Sequence, residues 1–92
     1  MVELIRDPDE VAVWRTLLDA ADGDHLTLVE LAAVASAAAG QRVGWFAASM
    51  IVNELYRRGC VTRTVVQRTG QPRQRAYALN DRGRRRVARL LA

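Results

Sequence analysis

The sequence has no lysine: all 14 of its basic residues are arginine. A genome rich in G and C accounts for that more simply than selection for phosphate contacts, although arginine's planar fork makes such contacts well. There is one cysteine, Cys60, which excludes an internal disulfide and a cysteine-based metal cage. There is one histidine, His25, which excludes two-histidine zinc motifs and most histidine-assisted nucleophiles. No apolar run approaches the ~20 residues of a membrane span, so no membrane partner is expected. The opening "MVELIRDPDE" carries Glu3 and Asp7 and no long apolar stretch. It does not read as a signal peptide, and a cytoplasmic protein is expected. No glycine-rich phosphate loop follows a strand and no nucleophile–base pair stands out, so neither an enzyme nor a cofactor is expected.

What is present is a chain of 92 residues, half of them apolar, with a net charge of +4. That length suits one small domain with one core, and residues 1–92 are expected to form it. The charge is unevenly placed. Residues 1–54 hold three arginines and nine acids, whereas residues 55–92 hold eleven arginines and a single acid, Asp81. No acid occurs from 55 to 80. Ordinary solvated surfaces mix their signs, so this half is expected to meet a polyanion.

Periodicity and capping residues mark the elements. In "DPDEVAVWRTLLDAAD", Asp7 and Glu10 suggest a capping box, Pro8 fits the first helical position, and Val11, Trp14, Leu18 and Ala21 form a stripe. The helix is expected to stop near 22–24. Residues 2–5 fit a short strand or an arm onto a partner equally well. "HLTLVELAAVASAAAG" opens a second helix with a capping box from Thr27 to Glu30 and a staple of Leu26 on Leu31. Leu28, Leu31, Ala32 and Ala35 face inward, and Gly40 ends it. "VGWFAASMIVNELYRRGC" reads as a third helix, about 43–58, with Ala47 or Ala48, Ile51, Val52 and Leu55 inward and Gly59 as its stop. Its start has no capping side chain. From Cys60 the period changes: "CVTRTVVQR" and "RAYAL" read as strands around "TGQPRQ", a hairpin loop. Asn80 then caps a last helix, "DRGRRRVARLLA".

Helix, helix, helix, hairpin, helix is the order of a winged helix-turn-helix, mainly α with a small β-wing. The most specific stretch follows the third helix. Leu55, Gly59 and then "CVTRT" lead into the wing. Tyr77-Ala78-Leu79-Asn80-Asp81-Arg82-Gly83-Arg84 leads out of it. Here the chain resembles the PadR-like winged-helix transcription regulators and, second to them, the MarR-like ones. Both families show a leucine, polar residues, a glycine and an apolar pair after the recognition helix, then a basic wing and Tyr-x-Leu-Thr-x-x-Gly-Arg, with Asn80 standing for the threonine. "GQPRQRAYAL" is closest to the PadR-like wing. "QRVGWFAAS" lacks the Ser-Pro-Gly and the tyrosine usual before a PadR-like recognition helix. The resemblance implies a sequence-specific regulator that binds double-stranded DNA.

Such a fold sets the third helix in the major groove, with the side chains opposite its core stripe at base edges. Those are Trp45, Ser49 and Asn53, with Arg42 just before the helix and Arg57 at its end. Asn53 suits adenine, and Arg42 suits guanine or phosphate. The wing, 68–75, offers Arg73 with Arg68 or Arg75 to phosphate or to a narrow minor groove. Amides around Thr27 at the second helix's start offer a further phosphate site. A homodimer on a two-fold site is expected, because one module covers limited DNA; Val2, Leu4, Ile5, Leu90 and Leu91 are candidates for its interface. Trp14 and Cys60 are expected in the core. Trp45 and Phe46 are expected to pack on the first helix, or else to form a protein interface. Arg82, Arg84, Arg85, Arg86 and Arg89 are expected on a solvated face. Two other readings use the same residues: an interaction module that holds a protein partner through Trp45, Phe46 or the termini, and a plasmid or phage DNA accessory factor.

Overall fold

The computed structural model describes residues 7–20 and 24–92. The element order is α1 (Pro8–Asp19), β1 (Leu26–Thr27), α2 (Leu28–Ala39), α3 (Trp45–Arg57), β2 (Val61–Val66), β3 (Gln74–Leu79) and α4 (Asp81–Leu91). The strands form one antiparallel sheet in the order β1-β3-β2. This is the winged helix-turn-helix arrangement. β1 was not marked in the sequence, because two residues carry no alternation; they pair only because Tyr77 and Ala76 of β3 lie opposite.

Asp7 opens α1 by accepting from the Asp9 amide at 3.0 Å. The expected return bond from Glu10 is not made. Glu10 instead lines a groove between α1, α3 and α4 that Arg58 and Arg86 also line. The buried face of α1 is Ala12, Val13, Trp14, Thr16 and Leu17. That is broader than the stripe expected, in which Val11 and Leu18 turn out half-buried and Ala21 lies outside the described residues. Position explains the breadth: α1 packs against α2, α3 and α4, and a helix covered on several sides buries more than one row. The helix ends at Asp19, ahead of the expected stop, of which Asp22 and Gly23 lie outside the described residues.

α2 begins with the full capping box: the Glu30 amide donates to Thr27 Oγ1 at 3.2 Å, and the Thr27 amide to Glu30 Oε1 at 3.0 Å. It ends at Gly40, whose φ of 67° is the left-handed value of a helix stop. The link to α3 is held by a residue that periodicity does not single out. Ser36 Oγ donates to the Ala32 carbonyl at 2.7 Å and accepts from the Val43 amide at 2.8 Å, which seats Val43 in the core. α3 buries Ala48, Val52 and Leu55. It closes with Gly59 N–H on the Tyr56 carbonyl and Cys60 N–H on the Leu55 carbonyl, both 3.0 Å, a Schellman end with Gly59 at φ 70°.

One apolar cluster joins all these elements, from Val13, Trp14 and Leu17 through Leu31, Ala35, Val52 and Leu55 to Val61, Tyr77, Leu79 and Val87. Leu90 and Leu91, candidates for a dimer interface, are half-buried against it. Cys60 is fully buried within it. Among the described residues no buried side-chain nitrogen or oxygen lacks a hydrogen-bond partner, and no helix is long and apolar enough to cross a membrane.

Candidate nucleic-acid interface

Three local devices set α3 and the wing. The first is the exit from β3. Asn80 caps α4 by accepting from the Gly83 amide, and its own amide group donates to the Gly59 carbonyl, each at 2.8 Å. One side chain therefore joins the start of α4 to the end of α3. Gly83 lies so close to the end of α3 that a Cβ there would collide with the Cys60 carbonyl oxygen. Arg84 completes the motif by donating to the carbonyls of Leu18 and Ala20, at 3.4 and 3.2 Å. Those are the unsatisfied carbonyls at the end of α1, which has no basic residue in its own last turn. Arg84 thus leaves the solvated face on which it was expected; Arg82, Arg85, Arg86 and Arg89 are exposed on α4.

The second device ties the wing back to the helix-turn-helix. Arg68 donates to both carboxylate oxygens of Glu30, at 3.1 and 3.2 Å, and to the His25 carbonyl at 3.0 Å. The hydrogen bond from the Thr27 backbone amide, and then the Arg68 guanidinium, hold the Glu30 carboxyl below its ordinary pKa despite its partial burial. Arg68 is therefore a strap, and its fork is engaged. The third device is the hairpin tip. The Gln71 amide donates to the Arg68 carbonyl at 3.1 Å, with Gly70 at φ 75° in the third position, the conformation a type II turn asks of that residue.

These devices bring together four of the residues singled out above. Trp45, Ser49 and Asn53 of α3 and Arg75 of β3 line one open groove of about 420 Å³, with Leu28, Val29, Gln74 and Tyr77. Asn53 Nδ2 lies 3.5 Å from Ser49 Oγ, and Asn53 is exposed. Arg42 and Arg57 are exposed before and at the end of α3, and Arg73 is exposed on the wing. Among the described residues no carboxylate pairs with Arg42, Arg57, Arg73 or Arg75. Thr27 stands apart from this group. It is 2% exposed, and its hydroxyl and amide are both engaged in the capping box, so its own groups are closed to a ligand.

Trp45 and Phe46 depart from the core packing expected of them: they are 62% and 66% exposed. The buried face of α3 carries Ala48, Val52 and Leu55 instead. The sequence pattern left this undecided because α3 is apolar on parts of both faces. Two contacts were missed altogether. Arg63 of β2 lies 4.5 Å over the Tyr56 ring and pins the wing's first strand to the end of α3. Glu54 pairs with Arg58 at 2.9 Å, which neutralises the one acid of α3. A Glu–Arg pair four residues apart is readable on any helix; Arg63 on Tyr56 needs the strand's register. Among the described residues no three His, Cys, Asp or Glu side chains gather into a metal site.

No protein-family model matches the sequence, and no curated protein matches it. Solved structures do. Bacillus subtilis PadR in complex with operator DNA superposes with a TM-score of 0.69 at 14% identity, over 89% of this chain and 46% of that one. A PadR-like transcription factor from Bacteroides fragilis gives 0.67 at 15% identity, over 88% of this chain and 74% of that one. The chain thus spans about half the length of the first of these proteins. At such identity the likeness speaks for architecture, and the architecture is that of the PadR-type winged helix-turn-helix.

Proposed function

We propose that this protein is a sequence-specific, double-stranded DNA-binding transcription regulator. α3 lies in the major groove, and the wing rests on phosphate or in the adjacent minor groove. The observation that carries this reading is the single groove that holds Trp45, Ser49 and Asn53 of α3 beside Arg75 of the wing. Asn53 offers the amide that suits adenine, and Arg42 and Arg57 bracket the helix for guanine or phosphate. Arg73 and Arg75 carry the wing's contacts, and Arg68 positions them. The likeness to a PadR structure solved with operator DNA supports the same reading. It is the reading of a binding protein, working inside the cell and without a cofactor. A homodimer on half-sites about one helical turn apart supplies the DNA contact area that one module lacks.

Selection of bound duplexes from a random pool, followed by a salt titration on the winner, tests this reading. A converging site and a logarithmic affinity that falls linearly with the logarithm of salt are expected. A pool that fails to converge, or binding that ignores salt, would sink it. A plasmid or phage accessory role would use the same surface and would pass the same test. The rival of a different class is a protein-interaction module, favoured by the exposed Trp45 and Phe46. Failure to shift any duplex at low salt, with an acidic protein co-purifying, would make that the better reading.

A further inference from the structure

α3 changes character along its outer face. At the N-terminal end Trp45, Phe46 and Met50 are 62%, 66% and 60% exposed, and Asn53, Arg57 and Arg58 follow. Trp45 and Phe46 meet edge to face, with ring centroids 6.2 Å apart and planes at 86°. The rings therefore form one preset surface. Val29, 66% exposed on α2, lines the same groove as Trp45. A contiguous apolar surface in water marks a place of contact. Its surroundings say what kind. No acid lines the groove that Trp45 and Val29 share with Asn53 and Arg75, and Glu54, which lies near Met50, is paired with Arg58. The occupant must therefore be apolar where it meets the rings and anionic around them. In the major groove of B-DNA that description fits the C5-methyl group of thymine, flanked by phosphates.

We infer that α3 reads thymine methyl groups through Phe46, Trp45 and Met50. This inference rests on the DNA-binding reading above and deepens it. Asn53 favours adenine, the partner of thymine, so the hydrogen-bonding and apolar ends of the helix favour the same base pairs. The site is defined as much by methyl groups as by hydrogen bonds.

Replacing thymine by uracil removes only the methyl group. The test compares the intact protein on the selected duplex and on the same duplex with uracil at each thymine of the half-site, by fluorescence anisotropy. Affinity is expected to fall about fourfold for each methyl that the helix contacts, the effect of burying one methyl-sized group. Trp45→Ser, Phe46→Ser and Met50→Ser alter exposed side chains, so the core is left intact; circular dichroism and the thermal midpoint check this. At least one of the three is expected to bind thymine and uracil duplexes alike while keeping the salt dependence of the parent. Equal affinity of the parent for both duplexes overturns the inference and leaves DNA binding standing. So does a selected half-site without thymine, or a thymine preference that survives in all three variants. Failure to select any duplex removes both readings at once, and an acidic protein captured through the same three side chains then assigns them to a protein partner.

Discussion

Single atoms decide more here than the residue types suggest. A Cβ at position 83 would collide with the Cys60 carbonyl oxygen and would lie 3.0 Å from Leu79 Cδ2. Both neighbours are fixed, one as backbone and the other by the core. Gly83→Ala should therefore cost about 1–3 kcal/mol or more, the range for overpacking, read as a lower denaturant midpoint at unchanged slope. Gly44 makes the contrast. It caps α3 without a side-chain bond, and nothing lies within 4 Å of a Cβ there. Gly44→Ser should leave stability unchanged or raise it by a few tenths of a kcal/mol, because serine supplies the missing acceptor. On the proposed interface, two exposed residues should separate by kind. Asn53→Ala should relax base preference at one position of the site by ~1–3 kcal/mol. Arg73→Ala should weaken all duplexes alike and flatten the salt dependence by roughly one unit of slope for the lost phosphate contact. An Arg73 variant with altered base preference would place that side chain at bases.

Among the elements, the wing depends most on a distant partner. Arg68 reaches Glu30 across 38 residues of sequence, and the pair is about two-fifths exposed. Glu30 has a depressed pKa in the fold, so its contribution is complete above the ordinary carboxylate value of 4.5 and is lost as pH falls below that value through the folded one. Exposure keeps the pair under about 1 kcal/mol. Acid should therefore loosen the wing before the domain unfolds. After correction for the intrinsic pH dependence of exchange, the protection of the Val65, Val66 and Gln74 amides should fall at low pH, and Arg68→Ala should give the same loss of protection at neutral pH. An unchanged exchange rate in that variant would show the strap to be idle. The strap also marks where sequence reasoning stops. Thr27–Glu30, Gly40, Gly59 and Asn80 were legible because a cap and its partner lie within a few residues. "CVTRTVVQR" and "RAYAL" were legible because strands alternate and turns carry glycine. Glu30–Arg68, Arg84 on the end of α1 and β1 on β3 were not, since each joins residues that only the fold brings together. The groove was half legible: the α3 residues followed from its inward stripe, but their meeting with Arg75 depended on the register of β3. The exposure of Trp45 and Phe46 depended on which of two apolar faces the core covers.

For the whole molecule, the acidic and basic halves of the chain are folded through one apolar cluster. Glu30 and Glu54 pair with Arg68 and Arg58 respectively, so part of the basic half is neutralised internally. What stays unpaired among the described residues includes Arg42, Arg57, Arg73 and Arg75, the residues of the proposed interface. The slope of the salt titration should accordingly reflect a handful of phosphate contacts per protomer rather than all 14 arginines. Sedimentation should detect the proposed dimer, free or on the selected duplex. A monomeric mass at micromolar protein, unchanged by DNA, would exclude it. Leu90 and Leu91 are half-buried against the core, and Val2, Leu4 and Ile5 lie outside the described residues, so the dimer contact is a question for that measurement.

The sheet order carries one more consequence. β1 pairs with β3 only at Tyr77 and Ala76, while β2 pairs with it from Leu79 out to Gln74. The sheet is thus three strands wide only at its middle rungs and two from there to the tip, like a beam clamped part-way along. Arg75 sits beside the clamp and Arg73 past the last rung. The clamped part should hold its distance to Asn53 almost invariant, whereas the tip should bend to follow grooves of different width. If the proposed interface with DNA holds, such a wing should tolerate variation in the shape of the site at its flanks and little at its centre.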